Sequence, residues 1–359
     1  MALTVESWQM VKPGEPFVRA TREMDLSALA PDQAVVEVAG CGVCHTDLGF
    51  AFDGVRTRHP LPLTLGHEIA GRVIRAGEAV SSLEGRAVVV PAVLPCGECA
   101  ACRSGRGGVC AKQVFPGNDD HGGFATHVVV PAKGLCPVDE HRLATAKVDL
   151  ASLAVVADAV TTPYQALVNA ELKAGDLAVF VGAGGLGAFG VQLAAALGAH
   201  VVALDVDAAR LERLSHKAGL LLDAKGEPKA IRKSIQAFAA EQQAPPFGWK
   251  IFETSGTRAG QELAFSLLGP AAHLGVVGYT RDAGTFRLSN LMAFDATARG
   301  TWGCLPEHYP TVVGMVLGGK VSLDGLIEHR PMSRINETFQ QLREHTLKVR
   351  PVLVPDFQS

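Results

Sequence analysis

The sequence has little excess charge of either sign, and this excludes one class of function. Lys and Arg number 33 against 36 Asp and Glu, which gives a formal net charge of −3. Proteins that bind nucleic acid through its phosphates carry a basic surface, and this chain has no surplus of positive charge from which to build one. We therefore expect no nucleic-acid partner.

The sequence also lacks a secretory signal and a membrane span. The N-terminal MALTVESWQM has no positively charged segment followed by an apolar run, so we expect a cytoplasmic protein. Residues 179–204 contain no charged side chain, a length that could cross a bilayer, but six glycines and His200 interrupt them. Two short strands with a helix between them explain this stretch better, so no membrane partner is expected.

The length of the chain and the pattern of its residue types predict two domains of different kinds. A chain of 359 residues is too long for a single ordinary core. Up to about residue 155, short β-branched runs among Gly and Pro predict an antiparallel β-domain. Beyond it, strands alternating with helices predict a parallel, doubly wound sheet. The predicted strands are 35–38, 69–74, 87–90, 126–130, 178–181, 201–204, 220–222, 250–253 and 273–277, and the predicted helices are 186–197, 208–217, 229–241 and 260–268.

The C-terminal sixty residues and the last predicted strand carry two further expectations. Segments 309–317 and 335–345 are expected to return to the first domain. Strand 273–277 is placed near the sheet edge, where it could pair with a second subunit.

Four of the eight cysteines crowd into fifteen residues. In a reducing compartment they are metal ligands or buried thiols rather than disulfides. Their spacing, C-x2-C-x2-C-x7-C, lets four thiolates converge on one ion, which suits a closed structural zinc site. The predicted ligands are Cys96, Cys99, Cys102 and Cys110.

Two other metal-binding interpretations of these cysteines are weaker. Iron–sulfur proteins also begin C-x2-C-x2-C, but the gap of seven residues and the Ala rather than Pro after Cys110 argue against a ferredoxin-type cluster. A DNA-binding zinc module would need more basic residues than Arg103 and Arg106. We therefore predict a structural zinc lobe at about residues 95–112.

A glycine-rich turn follows the predicted strand 178–181. The sequence GAGGLG opens the next predicted helix, and a second strand then ends at Asp205. In this context the glycines let the backbone approach a pyrophosphate at a helix N-terminus. Asp205 can accept hydrogen bonds from the adenosine ribose and would repel a 2′-phosphate, so NAD is preferred over NADP, and Arg210 could flank the same ribose. The predicted contacts in the turn are Gly182, Gly184, Gly185, Leu186 and Gly187.

Two more segments carry side chains that bind metals, GVCHTD at residues 42–47 and GHE at residues 66–68. Taken alone, each is more often structural. Together with the four-cysteine segment and the glycine turn, in this order and at these intervals, they resemble the zinc-dependent medium-chain alcohol dehydrogenases over nearly the whole chain. The resemblance implies an α/β fold with a GroES-like antiparallel catalytic domain (residues 1–159 and 301–359) and a Rossmann coenzyme domain (residues 160–300). It implies a usual state of homodimer or homotetramer.

The same resemblance implies the catalytic zinc site. Cys44 and His67 would ligate the zinc, and Thr46 would hydrogen-bond the alcohol oxygen and begin proton transfer to solvent. Asp47 would hold His67 in its ligating tautomer. Glu68 would sit behind the metal, able to tune its charge or to coordinate it transiently.

Two family positions for cofactor contacts and one for proton relay can also be carried over. His45 and Arg350 occupy positions that contact the pyrophosphate, although each could be a plain surface residue. Gly49 stands where many members have a His. A relay would then run through Thr46, the cofactor ribose and water, or through another His such as His59.

The third zinc ligand is where this sequence departs from the family. Members commonly have a Cys at the start of the segment linking the domains, and Asp158 stands at that position here. An Asp there could instead cap a helix, a role for which Thr161 and Thr162 compete. We favour the ligand, which would keep the formal charge of the site and make the zinc a stronger Lewis acid.

Several stretches look closest to the branch that oxidises 6-hydroxycyclohex-1-ene-1-carbonyl-CoA to the 6-oxo compound in anaerobic aromatic degradation. Reduction of the conjugated double bond of a cyclic enone would be a second reaction of that site. The alternatives are a dehydrogenase of a simple secondary alcohol without CoA, a zinc-free enoyl or quinone reductase of the same fold, and a non-enzymatic NAD-binding protein. The stretches are 7–11, 41–48, 155–164, 291–295 and 301–306.

Overall fold

The computed structural model describes residues 2–357, which divide into two compact units. The strands are β1 (Ala2–Gln9), β2 (Val18–Asp25), β3 (Gln33–Gly42), β4 (Glu68–Ala76), β5 (Ala87–Val90), β6 (His127–Pro131), β7 (Cys136–Pro137), β8 (Leu177–Val181), β9 (His200–Asp205), β10 (Leu220–Asp223), β11 (Lys250–Glu253), β12 (His273–Val276), β13 (Thr297–Gly300), β14 (Ile327–Pro331) and β15 (Arg350–Val354). The helices are α1 (His45–Phe52), α2 (Ala100–Arg103), α3 (Glu140–Ala146), α4 (Thr161–Asn169), α5 (Gly187–Ala196), α6 (Ala208–Glu212), α7 (Pro228–Glu241), α8 (Arg258–Ser266), α9 (Ser289–Phe294), α10 (Tyr309–Leu317) and α11 (Ile335–Arg343).

The first unit is a predominantly antiparallel β-domain. Its described residues are 2–161, 303–319 and 323–357, so most of the C-terminal segment packs with the N-terminal part of the chain. Its main sheet has the order β14-β15-β3-β4-β5-β7, with β6 also paired to β3 and only β14 and β15 parallel. Strand β3 is therefore the centre of the sheet, and its β-branched residues are buried on both faces.

The 3-10 helix of residues 151–157 packs closely against strand β3 of this sheet. A register shift in β3 between Val38 and Gly40 bends the strand. At Gly40 an added Cβ would lie 2.9 Å from Ala151, so only glycine lets the 3-10 helix of residues 151–157 approach the sheet this closely. This approach brings Asp158, the residue that ends the 3-10 helix, beside the sheet.

The second unit, residues 162–302 with 320–322, is a six-stranded parallel sheet. Its order is β10-β9-β8-β11-β12-β13. From β8 the chain adds strands on one side as far as β10, and from β11 it adds them on the other side as far as β13. Every residue of β8 is buried, because helices cover both faces of such a sheet. This is the predicted doubly wound α/β arrangement, and the fold class is confirmed.

Three features of the elements differ from the sequence expectations. Strand 273–277, expected near the sheet edge, lies next to the edge strand, and its outer side pairs with β13 rather than with a second subunit. The helix predicted at 208–217 ends at Glu212, and turns with i to i+3 hydrogen bonds follow it up to Lys217. The hairpin of β1 and β2 and the helix α1 carry no strong period in the sequence and were not expected.

The uncharged stretch 179–204 is the strand–helix–strand unit of β8, α5 and β9. Within residues 2–357 no helix is long and apolar enough to cross a membrane.

Candidate functional site

The four clustered cysteines form one site in the first unit. The separations between sulfur atoms are 3.4 Å for Cys99–Cys102, 3.5 Å for Cys96–Cys110, 3.7 Å for Cys99–Cys110 and 3.9 Å for Cys96–Cys102. A tetrahedral zinc with Zn–S bonds of about 2.3 Å places its sulfur ligands about 3.8 Å apart. The four thiols therefore fit a zinc ion, with every coordination position filled by protein.

The electrostatics of this cluster also call for a cation. A hydrogen bond from the backbone amide of Cys102 lowers the pKa of the Cys99 thiol to about 6. Burial and the hydrogen bond with Cys99 raise the pKa of the Cys102 thiol to about 12. Four thiols at these distances do not all ionise on their own, whereas a dication stabilises all four thiolates.

Strand pairing creates a second group of metal-binding side chains. Strand β3 ends at Gly42 and β4 begins at Glu68, and these two residues face each other in the antiparallel register. Cys44 lies two residues beyond β3 and His67 one residue before β4, so the pairing brings together ligands that are 23 residues apart. The sequence interval alone does not indicate this proximity.

The distances in this second group fit a metal centre. Cys44 Sγ lies 3.2 Å from His67 Nε2, and His67 Nε2 lies 3.7 Å from Asp158 Oδ2. Sulfur, nitrogen and oxygen ligands of a tetrahedral zinc are separated by about 3.4–3.6 Å. Together with a Glu68 carboxylate oxygen, these atoms all lie within 4.8 Å of one another. The ligand set is mixed and compact, which suits zinc with an open position.

Helix α1 starts at this group. The Cys44 side chain accepts a hydrogen bond from Thr46 N, and the Asp47 carboxylate accepts one from Cys44 N, which closes a capping box. The second oxygen of Asp47 lies 3.4 Å from His67 Nδ1. Asp47 thus contacts both candidate ligands, and its place beside the far nitrogen of His67 is that of a carboxylate that orients a metal-bound imidazole.

A buried ion pair lies against the group. Glu68 is fully buried, and its Oε1 accepts a hydrogen bond of 2.6 Å from Arg350 Nη1. Burial raises the pKa of Glu68 to about 7, while the nearby guanidinium opposes this shift. Register explains the contact, because Arg350 begins β15, whose next residues pair with the end of β3. The cofactor contact expected for Arg350 stays a prediction.

The carboxylates and thiol of the group are not balanced by this one arginine. Ionised Cys44, Asp47, Asp158 and Glu68 would place four negative charges around one guanidinium. Burying uncompensated charge is costly, and a metal dication bound by these side chains would compensate it.

A tyrosine that is not among the predicted site residues anchors the Asp158 segment. Tyr309 is completely buried; its hydroxyl donates a hydrogen bond to the Ala157 carbonyl and accepts one from Ala92 N at 3.2 Å. It thereby holds the backbone immediately before Asp158. No local pattern marks this tyrosine, since its partners lie 152 and 217 residues away.

The remaining candidates of the first unit lie on α1 or in the loop after it. His45 is exposed and Thr46 half-buried in the first turn of α1, next to Cys44. Gly49 lies inside the helix and is buried. His59 is not in the metal-binding group; its ring centroid lies 5.0 Å from that of His121. The structure thus brings Thr46 to the candidate ligands and leaves His59 apart from them.

The glycine turn in the second unit has the geometry that its sequence predicts. Gly182 has φ +105°, and a Cβ at Gly187 would lie 1.8 Å from the Gly182 carbonyl oxygen, so both positions require glycine. Around Gly184 the nearest atom to an added Cβ is Arg210 Nη1 at 3.9 Å, which leaves the outer side open to a ligand. A tight turn, an open approach and close helix packing are the three roles of glycine in a dinucleotide-binding turn.

Asp205, the last residue of β9, is tied to this turn. Its Oδ2 accepts a hydrogen bond of 2.7 Å from Ala183 N, and its Oδ1 accepts one of 2.9 Å from Asp207 N. Arg210 Nη1 lies 3.8 Å from Asp205 Oδ1. The carboxylate is thus held at the carboxyl end of the sheet, beside the glycine turn.

Comparison with known families covers both units. Residues 30–140 match the alcohol dehydrogenase GroES-like domain family, and residues 185–318 match the zinc-binding dehydrogenase family. The chain is 28% identical over 361 residues to galactitol 1-phosphate 5-dehydrogenase from Escherichia coli K12, covering 96% of this chain and 99% of that one. It is 28% identical over 335 residues to L-threonine 3-dehydrogenase from Pyrococcus horikoshii, covering 89% and 91%.

Solved structures give the same result. The crystal structure of galactitol-1-phosphate dehydrogenase from Escherichia coli has a TM-score of 0.84 at 25% identity, covering 98% of this chain and 100% of that one. The alcohol dehydrogenase of the archaeon Aeropyrum pernix has a TM-score of 0.83 at 26% identity, again with 98% and 100% coverage. The chain belongs to the zinc-dependent medium-chain alcohol dehydrogenases, enzymes whose cofactors are zinc and NAD.

Proposed function

We propose that the chain oxidises a secondary alcohol to a ketone with NAD, at a zinc held by Cys44, His67 and Asp158. The observation that carries this proposal is the convergence of the thiol, imidazole and carboxylate of these residues. Three protein ligands leave a position for the substrate oxygen, in contrast to the closed four-cysteine site. The second zinc is assigned to the cysteine lobe.

The protein's own groups orient the reactants and move the proton. When bound, zinc supplies positive charge that lowers the pKa of an alcohol hydroxyl, and NAD accepts the hydride. We assign to Thr46, in the first turn of α1 beside Cys44, the transfer of the hydroxyl proton toward solvent. Asp47 orients both ligands, because its carboxylate accepts a hydrogen bond from Cys44 N and lies beside His67 Nδ1. The Arg350 guanidinium compensates the charge of Glu68.

The relatives support a secondary alcohol and leave the substrate itself to experiment. Their names place the reaction at carbon 5 of galactitol 1-phosphate and carbon 3 of L-threonine, internal carbons that bear secondary hydroxyl groups. At 28% identity, neither substrate is carried over to this chain. The CoA thioester 6-hydroxycyclohex-1-ene-1-carbonyl-CoA stays our specific prediction; it rests on the sequence stretches alone.

An NAD-coupled substrate screen tests this proposal. The panel contains 6-hydroxycyclohex-1-ene-1-carbonyl-CoA, free cyclohexanols, cyclohexenones, galactitol 1-phosphate and L-threonine, with zinc content measured on the same preparation. We expect two zinc ions per chain and NADH formation with the CoA thioester. Turnover of free cyclic or polyol alcohols without the thioester would overturn the CoA assignment. A single zinc with enone reduction alone would indicate a reductase, and NADH binding without any turnover a non-enzymatic protein.

Asp205 is proposed to select NAD over NADP. In Asp205→Asn the amide oxygen can still accept from Ala183 N, while the charge that repels a 2′-phosphate is lost. We expect the ratio of kcat/KM for NADP to that for NAD to rise at least about tenfold, equivalent to 1.4 kcal/mol. The matched control is Asp223→Asn at the end of the adjacent strand β10, directly opposite in the register, which should leave the ratio unchanged. An unchanged ratio in Asp205→Asn would contradict the assignment.

The edge of the parallel sheet is proposed to pair with a second copy of the chain. All four residues of β13 are exposed, and Leu288, Met292 and Trp302 near it are each more than half exposed. An unpaired edge beside apolar side chains is a typical interface between copies. We expect sedimentation equilibrium to show a dimer or tetramer, shifted toward monomer by Met292→Asp. Phe247→Asp, at another exposed apolar residue, before β11, should not shift it.

A further inference from the structure

Glu253, the last residue of β11, has a carboxyl group that neither the sequence motifs nor the proposed chemistry uses. Its exposed fraction is 0%. Its Oε1 accepts three hydrogen bonds from the residues that follow: 2.8 Å from Ser255 N, 2.5 Å from Ser255 Oγ and 3.1 Å from Gly256 N. Its Oε2 has no hydrogen-bond partner among residues 2–357. A buried carboxyl with an unsatisfied oxygen is costly for stability, so the group calls for another explanation.

Residues 253–256, here called the β11 turn, touch the glycine turn on one side. Thr254 Oγ1 donates a hydrogen bond of 2.8 Å to the Gly182 carbonyl. A Cβ added at Gly182 would lie 2.5 Å from Ser255 N. The backbone at Ser255 therefore sets how the first glycine of the phosphate-binding turn is positioned.

The β11 turn touches the end of β12 on its other side. The Glu253 carbonyl accepts hydrogen bonds from Val277 N at 2.9 Å and Gly278 N at 3.0 Å. A Cβ added at Gly278 would lie 2.3 Å from Gly256 N and 2.7 Å from Glu253 Oε2. The β11 turn thus lies between the two chain segments that follow β8 and β12 and contacts both of them.

The position of the β11 turn in the sheet indicates which part of a dinucleotide it would contact. The sheet consists of two halves that diverge between β8 and β11, and dinucleotides bind across the carboxyl ends of the strands at such a point. The glycine turn and Asp205 belong to the half built from β8, β9 and β10, which takes the adenosine side. The β11 turn and Gly278 occupy the equivalent places in the other half, which takes the second mononucleotide.

We propose that Glu253 is a positioning residue for the nicotinamide mononucleotide half of NAD. Its Oε1 holds the amides of Ser255 and Gly256 in a fixed turn, and the turn in turn fixes Gly278 and the Gly182 carbonyl. What matters in this proposal is the length of the Glu253 side chain and its ability to accept hydrogen bonds, not its charge. This inference rests on the proposed use of NAD.

Two conservative variants separate side-chain length from charge. Glu253→Gln keeps an acceptor at the Oε1 position without the charge, and Glu253→Asp keeps the charge on a side chain one methylene shorter. The matched control is Glu262→Asp, because Glu262 also accepts a backbone N–H, from Thr285, within the same unit. NADH binding is measured by fluorescence titration, AMP binding by calorimetry, and melting temperature by scanning calorimetry, all on the zinc-loaded full chain.

We expect Glu253→Asp to weaken NADH binding at least tenfold while AMP binding stays within twofold of the wild type. Glu253→Gln and Glu262→Asp should bind NADH within threefold of the wild type. In steady-state kinetics, Glu253→Asp should raise the KM for NAD more than it lowers kcat. The split between NADH and AMP is a readout that general loss of packing would not produce.

Three results would overturn the proposal. Normal NADH binding by Glu253→Asp would show that the length of the side chain does not matter for cofactor binding. Equal losses in Glu253→Gln and Glu253→Asp would assign the effect to charge. Parallel losses of AMP and NADH with a lower melting temperature would assign a purely structural role. A wild-type chain that binds neither AMP nor NADH would instead overturn the proposed cofactor function itself, and this inference with it.

Discussion

Replacing Asp158 with alanine is expected to lower the zinc content from two ions per chain to one and to reduce kcat/KM by about 10²–10³. The carboxylate Oδ2 lies 3.7 Å from His67 Nε2, as expected for two ligands of one ion. Two remaining ligands, Cys44 and His67, do not hold zinc at an open site. The loss of several kcal/mol of transition-state stabilisation that a bound metal supplies corresponds to the stated factor.

A third ligand of another type should restore the metal and leave the rate altered. In Asp158→Cys we expect two zinc ions per chain, because thiolate also ligates zinc and carries the same charge. Sulfur donates more electron density than oxygen, so zinc polarises the substrate less and turnover changes. Metal analysis and steady-state kinetics measure both effects.

The control for Asp158 is another acid of the same segment. Asp149, before the 3-10 helix of residues 151–157, accepts hydrogen bonds from Ser152 N at 2.7 Å and Ser152 Oγ at 3.1 Å. Asp149→Ala disturbs the same helix without touching the ligand group, so it should retain two zinc ions. Full zinc content and unchanged kinetics in Asp158→Ala would show that Asp158 is not a ligand.

Replacing Cys102 with alanine is expected to remove the other zinc and to destabilise the first unit. Structural zinc sites stabilise the fold directly, because the ligand cluster does not exist in the unfolded chain. We expect a loss of about 3 kcal/mol or more, which lowers the melting temperature of a unit of this size by roughly 6–12 °C. Because the Cys44 group keeps its ligands, the remaining zinc should support kcat/KM within about tenfold of the wild type.

Proteolysis locates the effect of Cys102→Ala in the lobe. Arg103 and Arg106 are exposed trypsin sites between the third and fourth cysteine. Without zinc the segment loosens, so cleavage there should accelerate. Cys136→Ala is the control, since Cys136 is a buried thiol outside either metal-binding group; it should retain two zinc ions and cost about 1 kcal/mol. Two zinc ions in Cys102→Ala would contradict the structural-zinc assignment.

The fold class was predictable because both units carry periodic signals in the chain. Strand β8 and the part of β9 before Asp205 appear as uncharged runs, and the glycine turn between β8 and α5 marks their order. Strand 273–277 was expected near the sheet edge and lies next to the edge strand, but the edge strand β13 was not predicted, because it consists of exposed residues, Thr-Ala-Arg-Gly, without a strand pattern. An edge strand that pairs with only one neighbour needs no alternation of apolar residues, so its sequence carries no strand pattern.

The sequence by itself determined the parts of this protein that are local. Four cysteines within fifteen residues can converge on one ion without a distant strand, since only short loops separate them, and the glycine turn is likewise complete within six residues. Tertiary structure alone decided the rest. The register of β3 with β4 sets the distance from Cys44 to His67, and β15 brings Arg350 to a glutamate 282 residues earlier. Such distances depend on strand pairing and on close packing over glycine, which no interval along the chain specifies.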